Sequence, residues 1–142
     1  MTDAASLLAR LPHGPAVRMI TRIVIVEPEK IVTEMDWSLE DPRILDHFLR
    51  GPHVVPGVFL AEQAAQSALL LALQRVAGSP TFLLGQIKCN FVGSAFAPCT
   101  VRAEAEWRGQ FSNVFRFSAR CWVDDRDVAE ISGVASEVMA PK

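Results

Sequence analysis

The sequence has few of the residues on which metal centres, disulfide frameworks and phosphate sites depend. Its 142 residues include three histidines and three cysteines. The histidines lack a His-x-x-x-His spacing, and Cys89, Cys99 and Cys121 include no Cys-x-x-Cys pair, so neither a metal site nor a disulfide framework is indicated. Two of the cysteines lie in strand-like segments, where cysteine is usually a small buried hydrophobe. A glycine-rich phosphate loop, a Gly-x-Ser-x-Gly elbow and an internal repeat are also missing.

Net charge and long apolar runs are limited too. The formal net charge is −2, so the whole chain has no electrostatic footprint for nucleic acid, although arginines supply eleven of its fourteen basic residues and leave room for a local basic patch. No run reaches the roughly 20 apolar residues that a membrane span needs. The first residues include an acid and no long apolar run, unlike a secretion signal. We therefore expect a cytoplasmic protein with no membrane partner.

The composition is that of one soluble globular domain. Half of the residues are apolar and 21% are charged, and the length suits a single domain over residues 1–142. The longest feature is an apolar run from Val58 to Val76, free of proline and glycine. It stops at Gly78, with Pro80 just beyond, as helices do. Its apolar side chains fall on every face, which predicts a helix buried on all sides.

The remaining elements are predicted to be strands, apart from a short helix over residues 3–10. Val17 to Glu27 and Lys30 to Ser38 form a predicted hairpin, and Leu39 to Phe48 a connecting loop. After the helix, apolar and polar residues alternate with a period of two in four segments, which predicts a four-strand meander. Such a sheet buries the helix only by curling around it, which indicates the α+β class. One face of the helix then still needs a second subunit to cover it.

Glu62 is the only ionisable residue between His53 and Arg75, and it lies in the first turns of the apolar helix. Two interpretations are open. The macrodipole stabilises a carboxylate near the start of a helix, and such a carboxylate can stay in contact with water. Alternatively, apolar surroundings keep the group protonated, so that it serves as a general acid.

The residues around Glu62 resemble a known active-site signature. From His47 to Gln66 the chain reads HFLRGPHVVPGVFLAEQAAQ. The FabZ/FabA-type 3-hydroxyacyl-[acyl-carrier-protein] dehydratases carry His-Phe-Pro-Gly-x-Pro-x-x-Pro-Gly-Val, three residues, and then Glu or Asp. Pro56 to Gln66 matches closely, and Leu11 to Ile23 is similar to the family's Leu-Pro-His…Asp-Arg-Val opening. The resemblance implies the hotdog fold, a curled antiparallel sheet wrapped around one long central helix; beyond residue 80 only the pattern of strands agrees.

The resemblance implies a site with a base, an acid and a carbonyl donor. His47, neutral near pH 7, would be the base, Glu62 the acid, and the backbone N–H of Gly57 the donor to the thioester carbonyl. Gln66 either orients Glu62 or is hydrogen-bonded within the helix interior. The substrate-binding residues are predicted to be Val55, Gly57, Val58 and Gln66. No metal or organic cofactor is required, because phosphopantetheine carries the substrate.

The implied partners are an acyl carrier protein and a second hotdog subunit. Carrier proteins are acidic, so docking needs a local basic surface. Arg43 and Arg50 are the predicted docking residues, with Arg108 and Arg116 as alternatives that are more simply interpreted as solvated charges. A homodimer, or a higher assembly of dimers, is expected to place the histidine of one subunit opposite the carboxylate of the other. A heterodimer with another hotdog subunit is the alternative.

The match departs from the family at Thr21, where aspartate is usual, at His53, where proline is usual, and in two longer stretches. After His47 and Phe48 the chain reads Leu49-Arg50-Gly51, one residue longer than the family's Pro-Gly and without its proline, so this loop is less constrained. We expect altered substrate selection rather than altered chemistry. The family's Phe-Lys-Arg-Pro is replaced by Phe91 to Ser94, which removes basic residues where a carrier commonly docks.

Other interpretations remain open for single residues and for the whole chain. His47 can be an ordinary loop histidine bonded to Asp46. His53 is an alternative base, although it stands where the family has proline. His13 belongs to an element that we interpret as structural. The leading function is dehydration of a 3-hydroxyacyl thioester in fatty-acid or polyketide biosynthesis, and the alternatives are a hotdog acyl thioesterase and a non-catalytic acyl-binding subunit.

Overall fold

The structure, a computed structural model, describes residues 3–138. The helices and strands in this range are α1 (Ala4–Ala9), β1 (Arg22–Val26), β2 (Lys30–Trp37), α2 (Pro42–Leu45), α3 (Gly57–Leu73), β3 (Thr81–Phe91), β4 (Cys99–Phe111), β5 (Val114–Val123) and β6 (Arg126–Val138). None of these helices is long and apolar enough to cross a bilayer. The α+β class is confirmed. The predicted last strand ended at Met139, which lies outside the described residues.

The six strands form one antiparallel sheet in the order β1-β2-β4-β5-β6-β3. The prediction of a four-strand meander after the helix is therefore wrong. Only β4, β5 and β6 form a meander, while β3 lies at the far edge beside β6. Period-two alternation marks a segment as a strand but carries no information on which strand is its neighbour.

The first predicted strand is shorter than Val17 to Glu27, because its early backbone groups bond to side chains instead of a neighbouring strand. The carbonyl of Val17 accepts the side-chain amide of Gln66, and the N–H of Met19 donates to the amide oxygen of that glutamine. Arg43 donates to the carbonyl of Arg18. Strand pairing starts only at Arg22. The predicted loop over residues 39–48 also contains the short helix α2, capped by the Asp41 carboxylate.

Helix α3 begins and ends close to its predicted bounds. Its last turn is closed by Arg10, whose guanidinium donates to the carbonyls of Leu73, Val76 and Gly78. Carbonyls at a helix end lack the partners that the helix interior supplies, although that of Leu73 also accepts the Val76 N–H at 3.4 Å. The helix stops three residues earlier than the apolar run.

The concave face of the sheet packs against α3, and small residues on both sides allow a close approach. Ala64 and Ala68 of the helix are buried, as are Val101, Ala103 and Ala105 of β4. A buried polar cluster crosses this interface: the Ser67 hydroxyl pairs with the Thr33 hydroxyl at 2.8 Å, and the Gln63 side-chain nitrogen donates to the Val101 carbonyl at 3.0 Å. The sheet thus covers one side of α3 tightly.

The other side of α3 is not covered by the rest of residues 3–138, which agrees with the prediction that one face of the helix needs a second subunit. Val58 is 68% exposed, and Glu62, Ala65 and Leu69 along the same stripe are half-buried. Beside this stripe lies β3, which within residues 3–138 pairs only with β6 and exposes Leu83, Leu84 and Ile87. A bulge at Gly85 also shifts the alternation of β3 that the sequence predicted. An apolar helix stripe and an unpaired strand edge therefore lie side by side.

Candidate active site

The amino end of α3 presents backbone N–H groups without acceptors. The first backbone bond of this helix end runs from the Phe59 N–H to the Pro56 carbonyl at 2.9 Å, and no side chain caps the helix. Within residues 3–138 the N–H groups of Gly57 and Val58 have no partner. Free amides and the helix dipole both favour negative charge at this position. This end of α3 is therefore suited to bind an oxygen that carries partial negative charge.

Gly57 is at this position because the backbone is approached closely by an aromatic ring. A Cβ at Gly57 would lie 2.9 Å from ring carbons of Phe91, the last residue of β3. The preceding residues are tied to the β3–β4 connection, since the Val55 N–H donates to the Ala95 carbonyl at 2.8 Å. A cavity of about 310 Å³ lies between the helix end and this connection, bordered by Val55, Gly57, Val58 and Phe91 among others. These three predicted substrate-binding residues thus border one cavity.

Glu62 lies one turn after Val58 on the same face of α3. Its Oε1 accepts a hydrogen bond from the side-chain nitrogen of Gln66 at 2.9 Å, and its side chain is 40% exposed. A second cavity, of about 120 Å³, opens beside it between α3 and strands β3, β5 and β6. Its walls are mainly apolar, with Leu69, Phe82 and Phe115 among them. The carboxyl group therefore lies at the boundary between solvent and an apolar cavity.

Gln66 borders the cavity beside Glu62, and its amide is also engaged inside the protein. Its amide oxygen accepts the Met19 N–H at 2.9 Å, and its amide nitrogen donates to the Val17 carbonyl at 2.7 Å as well as to Glu62. The side chain is buried, and both N–H groups of its amide have acceptors inside the protein. Of the two predicted alternatives, both apply: Gln66 is bonded in the interior and it orients Glu62.

His47 is exposed and lies away from these groups. It follows Asp46, the cap residue at the carboxyl end of α2, and its ring contacts that of Phe48 at a centroid distance of 4.4 Å. It does not border the cavity beside Glu62, and within the described part of the chain it forms no ion pair or hydrogen bond, including the predicted alternative with Asp46. The predicted base and acid are therefore not brought together within one chain. His53, the alternative base, is also exposed, and its backbone carbonyl accepts the Ala97 N–H.

The two arginines predicted to dock a carrier have different surroundings. Arg43 donates to both carboxylate oxygens of Asp41 and to the carbonyls of Ala16 and Arg18, and its guanidinium lies 4.8 Å from the ring centroid of Trp37. These bonds hold the pKa of Asp41 below its ordinary value. This argues against Arg43 as a docking cation. Arg50 is exposed and has no ion pair among residues 3–138, so the docking prediction now depends on it.

His13, which we interpreted as structural, lies in contact with the predicted acid. Its Nε2 is 3.6 Å from Oε1 of Glu62, and it borders the same apolar cavity. The only sequence signal for this contact was the Leu-Pro-His element itself. The spacing of 49 residues between the two gave no indication that they would meet.

Comparisons with solved structures agree with the fold. The chain resembles the dehydratase heterocomplex ApeI:P from Xenorhabdus doucetiae, with a TM-score of 0.79 and 12% identity, covering 98% of this chain and 93% of the other. It also resembles a mutant thioesterase from Pseudomonas aeruginosa, with a TM-score of 0.75, 15% identity, and coverage of 97% and 95%. At such identities the likeness concerns the fold alone. The protein is a hotdog-fold protein, as the resemblance implied.

Sequence comparison identifies the family. No family model matches the chain. A 3-hydroxyacyl-[acyl-carrier-protein] dehydratase FabZ from Anaeromyxobacter sp. (strain K) is 30% identical over 139 residues, which cover 94% of this chain and 88% of that protein. The chain belongs to the FabZ family of dehydratases.

Proposed function

We propose that this chain removes water from a 3-hydroxyacyl thioester carried on acyl carrier protein and yields the trans-2-enoyl thioester. This is the reaction named for its FabZ relatives. The observation that carries the proposal is the arrangement along one face of α3. Unpaired backbone amides lie at its start, and a carboxyl group that Gln66 orients follows about a turn later. The helix thus offers a donor for a thioester carbonyl and an acid for a leaving hydroxyl.

The three groups account for every proton in the reaction. The base, His47, takes a proton from the carbon next to the thioester carbonyl, while the amides of Gly57 and Val58 bind the carbonyl oxygen as it gains negative charge. The electron pair then forms the carbon–carbon double bond and expels the hydroxyl group. Glu62 gives its proton to that hydroxyl, which leaves as water. Proton transfer from the imidazolium to the carboxylate afterwards restores both groups.

We place the base and the acid of each site on two copies of the chain. His47 and Glu62 do not meet within one chain, and each copy exposes the apolar stripe of α3 beside the free edge of β3. Pairing of two β3 edges would cover both features, and symmetric pairs are the commonest homo-oligomers. A hotdog subunit of another kind would cover the same surface, and the oligomeric state of the purified protein distinguishes the two.

The carrier protein is proposed to dock near Arg50. This arginine is exposed in the same loop as His47, where a phosphopantetheine arm would enter. A solvated cation at this position attracts an acidic partner and fixes its orientation.

An assay with short 3-hydroxyacyl and enoyl pantetheine thioesters tests the proposed function. Dehydration and the reverse hydration should both be catalysed, and both are followed through the absorbance of the conjugated thioester. Release of free thiol instead would identify a thioesterase. Absence of all three reactions, in a protein that is folded and still binds the thioesters, would identify a non-catalytic acyl-binding subunit.

A further inference from the structure

We propose that His13 is a positioning residue for Glu62: together with Gln66 it occupies Oε1 of the carboxyl group, so that the acidic proton is carried on Oε2. This inference deepens the proposed function and rests on it for its catalytic meaning. Of the predicted site residues within residues 3–138, only Gln66 contacts Glu62 in this way. The geometric part, a histidine that holds one oxygen of a carboxyl group, stands independently.

Both contacts converge on a single oxygen. The Gln66 side-chain nitrogen donates to Oε1 at 2.9 Å, and Nε2 of His13 lies 3.6 Å from the same atom. Within residues 3–138, Oε2 has no hydrogen-bond partner. The His13 contact is longer than a hydrogen bond, but contacts to a catalytic group are often long in the free enzyme and shorten when substrate binds. The two oxygens of Glu62 are thus unequal.

The surroundings of the imidazole select its tautomer. Nδ1 of His13 is buried and has no partner among the described residues, whereas Nε2 faces the carboxyl group. A buried N–H without an acceptor is rare in proteins, so the proton is placed on Nε2, where Oε1 can accept it. His13 then acts as a donor to Glu62. Because the two groups are in direct contact, no substrate fits between them, and His13 cannot be the base opposite this acid.

Two donors at Oε1 determine where the acidic proton resides. The oxygen of a carboxyl group that accepts hydrogen bonds is the carbonyl oxygen, and the proton belongs to the other oxygen. Oε2 is therefore the atom from which Glu62 gives its proton to the leaving hydroxyl. After that step the negative charge of the carboxylate is stabilised at Oε1 by the same two donors. Such an arrangement accelerates the reaction itself rather than the binding of substrate.

Two substitutions separate positioning from packing. His13→Leu removes the donor and keeps much of the side-chain volume, while His13→Gln retains an N–H donor near the position of Nε2. We expect His13→Leu to lower kcat by about 10- to 100-fold, the range for a hydrogen bond to a charged group, with KM for a pantetheine thioester unchanged. His13→Gln should recover most of the loss. Equal damage in both variants, or a raised KM with unchanged kcat, would overturn the proposal.

The infrared spectrum tests the same contact without activity. The carbonyl stretching band of protonated Glu62 is obtained by subtracting the spectrum of Glu62→Gln from that of the wild type. In the His13→Leu background this band should move to higher frequency, because Oε1 loses a donor, and in His13→Gln it should return. An unmoved band refutes the contact even if the enzyme is active. A moved band in a protein without dehydratase activity retains the contact and refutes only the proposed function.

Discussion

The segment that carries Glu62 and the segment that carries His47 differ in how firmly one chain holds them. Glu62 lies on a 17-residue helix whose far side is buried, and it is held by Gln66. His47 lies in an exposed loop, followed by Phe48 and by Leu49, which is 88% exposed. Side chains that must act in a defined geometry are normally supported by packing and hydrogen bonds. Within residues 3–138 the proposed acid is thus well supported, whereas the proposed base lacks comparable support, which the proposed second copy would supply.

Mixing two inactive variants tests this division most directly. Glu62→Gln and His47→Ala should each lower the dehydration rate by about 10² to 10⁴ without unfolding the protein, the usual range for a general acid or base. If each site combines two copies, mixed dimers contain one intact site, so free exchange of subunits should restore about a quarter of wild-type activity. Activity is measured after mixing and brief partial unfolding. No recovery in verified mixed dimers would place both groups in one chain.

Substitutions at two buried glutamines test whether Gln66 orients Glu62. Gln66→Leu removes the hydrogen bond to Glu62 and leaves the Val17 carbonyl and the Met19 N–H without their partner. Gln63→Leu removes only hydrogen bonds within the core, including the one to the Val101 carbonyl. Both variants should lose about 1–3 kcal/mol of unfolding free energy, because buried groups lose partners. Only Gln66→Leu should also lower kcat, by roughly tenfold or more. An equal loss of kcat in both would mean that general loosening, not orientation, is responsible.

Reversing the charge of Arg50 tests whether the loop that carries His47 docks the carrier protein. Arg50→Glu should raise KM for a carrier-bound substrate by about 3- to 10-fold and leave KM for a short pantetheine thioester unchanged, since only the carrier meets this charge. Arg116→Glu, an exposed position on β5, is the matched control. A larger effect at Arg116 would move the docking surface to the outer face of the sheet.

Stability in acid tests the ion pair between Asp41 and Arg43, which lies just before the loop that carries His47. Arg43 holds the pKa of Asp41 below its ordinary value, so this pair stabilises the folded protein above about pH 4 and the contribution is lost as the pH falls through the lowered pKa. Asp41→Asn still caps α2 but lacks the charge. The substitution should lower the free energy of unfolding by about 1 kcal/mol at neutral pH and by little in acid. Plotted against pH, the unfolding free energies of the wild type and the variant should therefore converge in acid. An equal loss of unfolding free energy at all pH values would contradict a stabilising ion pair between Asp41 and Arg43.

Local signals in the sequence predicted the elements well and their neighbours poorly. The run that ends before Gly78 and Pro80 located α3, and alternation located β4, β5 and β6. The position of β3 beside β6 could not be predicted, because period two describes faces and not partners. At Leu73, where α3 ends, the carbonyl accepts a hydrogen bond from Arg10, a residue 63 positions away. Such distant bonds leave no pattern in the local sequence.

The candidate site shows the same limit. Glu62 and Gln66 are four residues apart on one helix, so their contact was open to inference from spacing. The contact of His13 with Glu62 was not, and neither was the internal use of Arg43, whose charge and position suggested a surface role. Whether an ionisable side chain is free or engaged depends on the backbone carbonyls around it, and those are known only after folding.

The bulge at Gly85 limits which strands can pair with the free edge of β3. A regular edge strand can slide by two residues against a partner and still present the same faces, which makes it prone to mispairing and aggregation. In β3 the bulge between Leu84 and Gln86 reverses the faces partway along the strand. A partner strand without a matching irregularity would then match the faces of only one half of β3. In an assembly through this edge, Gly85 would therefore disfavour regular strands of unrelated proteins, which could otherwise add to the sheet.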